Sequence, residues 1–291
     1  MQKHIMVPLS KSVSSLFVSG LLLLCLFSGF DATAAETNIV KLSDLPLAVR
    51  KTIHAQLNGA RLGGICKSIE GGEVSYDVEM TSRGKTRSFT VSEEGELIAV
   101  QVFLPETPQT VQQAIRAQAG RQDLGDIFKY TEDGDVTYEV EMTKAGKTRT
   151  FSLSPDGKLL AMQMFLEETP AVIQKAIQKE MRGGTCDEIH KTTEDGEVNY
   201  DVTITRNGKS VSLTFDVKGA LVYQAEPVQI SETPEAVQKT LKAQLAGAKL
   251  VSLEATIEEG KFTYEVELVK AGRRQSLSIK PDGQIPPPEA E

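Results

Sequence analysis

The feature that most constrains this chain is internal self-similarity: Pro46, Pro108, Pro170 and Pro234 stand 62, 62 and 64 residues apart. The same steps relate Tyr76, Tyr138, Tyr200 and Tyr264, then Gly84, Gly146, Gly208 and Gly272, then Gly95, Gly157, Gly219 and Gly283. Four registers in agreement define a unit repeated in tandem. A unit of this size buries too little apolar surface to be comfortably stable alone, so neighbouring copies are expected to share cover.

Each unit opens with a helix signal. Thr107, Thr169 and Thr233 precede the prolines, which predicts a hydroxyl at the N-cap and proline at the first helical position; the first unit has Leu45 there, with Ser43 and Asp44 nearby. An apolar stripe four residues apart follows, as Val49, Ile53 and Leu57, Val111, Ile115 and Ala119, Ile173, Ile177 and Met181, and Val237, Leu241 and Leu245. Gln112, Gln174 and Gln238 lie between stripe positions and read as solvent-facing.

A strand then alternates: Val74, Tyr76, Val78 and Met80 point one way, Ser75, Asp77, Glu79 and Thr81 the other. A two-residue turn such as Arg83-Gly84 or Asn207-Gly208 leads to a return strand, with Phe89 and Val91 or Phe151 and Leu153 on its apolar face. A second turn, Glu94-Gly95 or Asp156-Gly157, leads to a last strand such as Leu97 to Leu104 or Leu159 to Leu166, apolar on both faces. Such a strand is usually covered on both sides, and the neighbouring repeat is expected to cover the second.

The expected fold class is therefore α+β: four tandem repeats, each an N-terminal helix packed on a small antiparallel sheet of three to four strands. The boundaries are 42–104, 105–166, 167–228 and 229–285, with the last strand of the fourth unit missing and a flexible tail at 286–291 containing Pro286, Pro287 and Pro288. The third joint carries Pro227 and the two-residue insertion, and the fourth unit is expected to dock more loosely.

Residues 1–35 differ in kind. Lys3 and Lys11, the apolar run from Leu16 to Phe27 and Ala32-Thr33-Ala34-Ala35 make the three parts of a secretory signal, with cleavage expected after Ala34 or Ala35. Cys25 follows Leu24, not the small residue that lipid attachment wants, and is expected to leave with the signal. Loss of this segment leaves 30 basic against 39 acidic residues, a net charge of -9, which argues against nucleic acid and anionic membrane as partners. Cys66 and Cys186 lie at non-equivalent places in their repeats and are read as structural thiols, with a bridge left open by an oxidising compartment.

The proline-led helix, the Gly-x-Val-x-Tyr-[Asp or Glu]-Val stretch at 72–78, 134–140 and 196–202, the Gly-Lys hairpin and the terminal Asp-Gly turn together resemble the PepSY-like family, itself described as similar to beta-lactamase inhibitory protein. The resemblance covers residues 42–285, with the fourth copy departing at Gly260-Lys261-Phe262. It implies an exported helix-on-sheet module that binds and inhibits peptidases or other enzymes of the cell envelope. Fold transfers on such motifs more securely than function does.

Catalytic groups are sparse. His54 and His190 do not recur between repeats and read as solvated surface side chains. The Asp-Gly pairs at 133–134, 156–157, 195–196 and 282–283 lack the alternating ligands and closing glutamate of a calcium loop and read as turns. No catalytic, cofactor or metal residue is assigned and no cofactor is expected. One feature points to a partner: Asp77, Glu79, Glu139, Glu141, Asp201, Glu265 and Glu267 share the strand parity facing away from the helix, beside Ser88, Thr90, Thr150 and Ser152. That row is either a solvated face or a recognition surface for a basic protein partner. The expected protein is a periplasmic or secreted, non-catalytic binder, with a structural spacer or small-ligand-sensing repeat protein as the alternative.

Overall fold

The computed structural model describes residues 38–287 except 71, 72, 133, 145, 195, 259 and 272. The expected signal at 1–35, Cys25 and residues 288–291 of the expected tail lie outside the described residues.

Among the described residues, sixteen strands run in sequence order. They are β1 (Asn38–Ile39), β2 (Arg61–Glu70), β3 (Glu73–Ser82), β4 (Lys85–Ser92), β5 (Leu97–Val102), β6 (Asp123–Glu132), β7 (Asp135–Lys144) and β8 (Lys147–Leu153), followed by β9 (Leu159–Gln163), β10 (Thr185–Glu194), β11 (Glu197–Arg206), β12 (Lys209–Asp216), β13 (Leu221–Pro227), β14 (Ala248–Glu258), β15 (Lys261–Lys270) and β16 (Arg273–Ile279). Every strand pairs antiparallel with the strands before and after it, in a single sheet of order β1 to β16. Among the described residues four short α-helices, α1 (Leu47–Leu57), α2 (Gln109–Ala119), α3 (Ala171–Met181) and α4 (Glu235–Gln244), interrupt the meander.

This corrects the expected architecture of four helix-on-sheet repeats with small separate sheets. The strand that ends one unit is hydrogen-bonded to the strand that opens the next, Ala99 to Val102 against Tyr130 to Ile127 and Tyr223 to Pro227 against Glu258 to Glu254, so the units have no sheets of their own. The neighbouring unit covers the last strand in part, Val102 and Leu104 packing against the core of the second unit and Met164 and Leu166 against that of the third. It also occupies that strand's free edge, and β5 and β9 bury only Ala99 and Ala161 fully. An unpaired edge is the greater liability, because its N–H and C=O groups recruit foreign strands.

The opening strands β2, β6, β10 and β14 escape the alternation test because each is broken by a bulge, between Leu62 and Ile65, Leu124 and Ile127, Cys186 and Glu188, and Leu250 and Ser252. One extra residue on one strand resets the period-2 pattern. The third joint is not looser than the others. The two-residue insertion lengthens β13, which pairs over five positions with β14, where β9 pairs over three with β10. Two residues are the smallest insertion that returns every side chain to its own face.

Buried side chains collect between the helices and the sheet. Val49, Ile53, Val111, Ile115, Ile173, Ile177, Val237 and Leu241 are fully covered, against Phe89, Phe151 and Phe215 of the return strands and the four inward tyrosines. The Gly95, Gly157 and Gly283 turns hold the helices down. A Cβ on Gly157 would stand 2.8 Å from the carbonyl oxygen of Thr110 on α2, at a φ of +84° that only glycine adopts freely. Hydroxyls on the helices complete the contact, Thr52 Oγ1 donating to Gly95 O at 2.5 Å and Thr240 Oγ1 to Gly283 O at 2.7 Å.

The helix starts differ by one residue from expectation. Proline is the N-cap, its carbonyl accepting the first helical bond, as Gln112 N to Pro108 O at 2.9 Å shows. The threonine hydroxyls turn back onto a short 3-10 turn instead, Thr107 Oγ1 donating to Leu104 O at 2.9 Å, with the same bond at Thr169 and Thr233. Gln112, Gln174 and Gln238 are not idle solvent residues: each Nε2 donates to the threonine carbonyl, at 2.9, 2.8 and 2.7 Å.

Candidate binding face of the sheet

The strand parity opposite the helices forms a face made mainly of serine, threonine and acidic side chains, with Phe128 buried in it between Gln101 and Glu139. The seven candidate carboxylates all lie on it, but they are not equivalent. Asp77 accepts from Ser68 Oγ at 2.9 Å and Thr90 Oγ1 at 2.8 Å, on the strands to either side. Asp201 repeats this two units later, accepting from Thr192 Oγ1 at 2.9 Å and Thr214 Oγ1 at 2.7 Å. These two are clamped within the sheet. Glu265 accepts from Thr263 Oγ1 at 3.0 Å, and Glu267 pairs with Arg274 at 3.2 Å.

Glu79, Glu139 and Glu141 have no hydrogen bond among the described residues, and they are the members of the row left to meet something else. Glu79 is exposed, and the Glu141 carboxylate lies across the bare Cα of Gly125. Burial pushes the Glu139 carboxyl above its usual range, Glu188 and Glu141 push the same way, and His190 opposes them. Burial, with Asp126, also raises Glu141.

Sequence reasoning missed the rest of this face, on the opening strands because their bulges hid the alternation. Tyr130 takes the register position of Ser68 and Thr192; its hydroxyl is covered, and burial together with the charges of Glu139 and Asp77 drives its pKa upward. Tyr223 on β13 is pushed up to about 12 by burial and by Glu254, Glu258 and Glu265. Glu254, itself raised by burial and by Glu267 and Glu265, belongs to the same patch. The first and third joints thus carry an aromatic ring among carboxylates, where the second has Ala161 opposite Thr192.

The joints are also fastened differently. Gln101 accepts from Ser88 N at 3.0 Å and donates to Asp126 at 2.7 Å, tying three strands, and Gln163 makes the corresponding bonds to Thr150 N and Glu188. Arg87 and Lys85 stack on Phe103, and Lys147 and Arg149 on Phe165, at 4.3 to 4.9 Å from the ring centres. The third joint uses the nearly buried Arg206, paired with Glu226 at 2.7 Å and donating to Glu180 O at 3.1 Å.

His54 is exposed as expected, whereas His190 is mostly covered and bonded to Glu188 at 3.0 Å, which corrects its reading as a solvated side chain. Cys66 and Cys186 are not bridged to one another, and burial raises the pKa of Cys186. An open depression of about 380 Å³ at the second joint is lined by Met164, Phe165, Leu166, Met181, Cys186 and Glu188. Among the described residues no group of three His, Cys, Asp or Glu side chains is placed to hold a metal, and no helix is long and apolar enough to cross a membrane.

A family model described as beta-lactamase-inhibitor-like, PepSY-like matches residues 164–223 and 199–286. The resemblance read from the repeated stretch is met there, in the second half of the chain. Similar solved structures include a DUF2874 family protein from Bacteroides uniformis, 21% identical, with a TM-score of 0.35, covering 40% of this chain and 86% of that one. A BLIP-like protein from Bacteroides fragilis is 16% identical, with a TM-score of 0.32, covering 41% and 86%. A protein of unknown function from Bacteroides vulgatus, provisionally described as periplasmic, is 17% identical, with a TM-score of 0.29, covering 43% and 96%. No curated protein matches the chain.

Proposed function

We propose that this is an exported, non-catalytic binding protein of the periplasm or cell exterior that meets another protein through the helix-free face of its sheet. The expected consequence is inhibition or regulation of a peptidase or other envelope enzyme. The observation that carries the reading is the face itself: mainly polar, sixteen strands long, uncovered by any helix among the described residues, with Glu79, Glu139 and Glu141 unclaimed by internal partners. The address comes from the expected signal at 1–35, and the descriptions of similar solved proteins name the same compartment. The inhibitory sense comes from the family description.

The test is affinity capture of envelope proteins with the chain from Glu36 onward, beside two charge reversals. One is Glu79→Lys with Glu141→Lys on the open face; the other is Lys51→Glu with Lys175→Glu on the helices. A partner lost with the first and kept with the second sustains the reading, and inhibition of that partner's activity is then measured. A partner lost only with the helix variant, or none at low and moderate salt, overturns it.

A further inference from the structure

The edge of β16 is handled unlike the three positions it repeats. After β4, β8 and β12 the chain makes a glycine turn and returns as β5, β9 or β13, pairing on both sides; Ala99, for example, faces Thr90 on β4 and Tyr130 on β6. After β16 the same turn is made. Gly283 N donates to Lys280 O at 2.8 Å and Lys280 N to Gln284 O at 2.9 Å, as Gly95 N to Ser92 O at 3.0 Å and Ser92 N to Glu96 O at 2.9 Å do in the first unit. The chain is therefore aimed back along the edge that is unpaired among the described residues, with Ile285 in the place of Leu97. Pro286 and Pro287 then take the places of Ile98 and Ala99, and no strand forms among the described residues.

We infer that Pro286 and Pro287 are a stop built into the returning strand, which keeps a second copy of this chain from adding to the sheet at β16. Proline has no N–H to donate to a ladder and its φ is held near -65°, so two in succession deny the edge a partner strand from its own chain and crowd the approach of another. The edge needs such a device. β16 buries Ile279 and half-buries Leu277 on its inner side, and a regular strand with free backbone groups is a template for edge-to-edge pairing. At the other end, β1 pairs with β2 in the register that β5 holds with β6, Asn38 to Lys67 and Ile39 to Cys66. Its outer edge is unpaired among the described residues, and Ile39 is 65% exposed. A copy completed at β16 would thus meet either the same edge of a second copy, giving a closed pair, or its β1, giving an open series.

The experiment is sedimentation velocity over a wide concentration range on the chain from Glu36 onward and on Pro286→Ile with Pro287→Ala, which restores the residues of the first unit. The wild-type chain is expected as a single monomeric species. The double variant is expected to rise reversibly to at least about twice the wild-type mass. Adding Ile285→Lys to it should return the mass to that of the monomer, because a charge on an edge strand opposes pairing and a misfolded aggregate would not be rescued so. A double variant that stays monomeric at all concentrations overturns the inference, and so does a wild-type chain that already associates.

Discussion

On β8, Phe151 and Leu153 lie beneath the helices with at most 1% of their surface exposed, while Thr150 and Ser152 beside them stand on the uncovered side, half-buried. One residue of displacement separates a close-packed core from a ladder of hydroxyls and carboxylates. The core face is specified by volume, so its errors leave cavities. The open face is specified by donors and acceptors, so its errors leave unpaired polar groups, and the losses are smaller.

The largest expected effect is Phe151→Ala, a loss of about 3–5 kcal/mol in denaturant unfolding, against under about 0.5 kcal/mol for the adjacent Ser152→Ala. Similar losses at the two sites would break the comparison. Next comes Gly157→Ala, expected to lose more than about 2 kcal/mol because its Cβ meets the α2 backbone, where Gly146→Ala, at a φ of +76° with open space around it, should lose about 1 kcal/mol.

On the open face, Asp201→Ala leaves the hydroxyls of Thr192 and Thr214 without their acceptor and should lose about 1–3 kcal/mol, while Glu79→Ala stays within about 0.5 kcal/mol. Equal losses would mean that the clamped and unclaimed carboxylates are one population. The smallest effect sharpens that division and has the opposite sign. Burial raises the Glu139 pKa in the folded state, so its contribution to stability is present below the unfolded value and lost as pH rises through the folded one. Glu139→Gln should therefore stabilise the protein near neutral pH by about 1 kcal/mol, and the difference should fade below about pH 4, where the carboxyl is protonated in both states. Melting curves across that range decide it; a neutral or destabilising substitution at pH 7 would place Glu139 with Asp201.

What was legible in the sequence was local. The parity of Tyr76 and its copies, the helix stripes and the glycine turns each depend on residues within one element, and the structure places them on the predicted faces. The single sheet was not legible, because the partner of β5 lies on the far side of a helix and no period within β5 names it. The clamped and unclaimed carboxylates looked alike for the same reason: Asp77 is held by Ser68 on a strand whose alternation the Gly63-Gly64 bulge destroys. Thr107 misled by one position, since a threonine before proline suits an N-cap and the end of a 3-10 turn equally well.

Because each strand lies beside its sequence neighbours, the molecule has an order of assembly written into its connectivity. A chain delivered from its N-terminus can lay every new strand on an edge already formed, closing only short loops or one helical excursion each time, so the entropic barrier to each addition stays small. Growth of this kind lengthens the sheet without rearranging what precedes it, and it lets a gene add or lose a unit while every remaining strand keeps the neighbours it had.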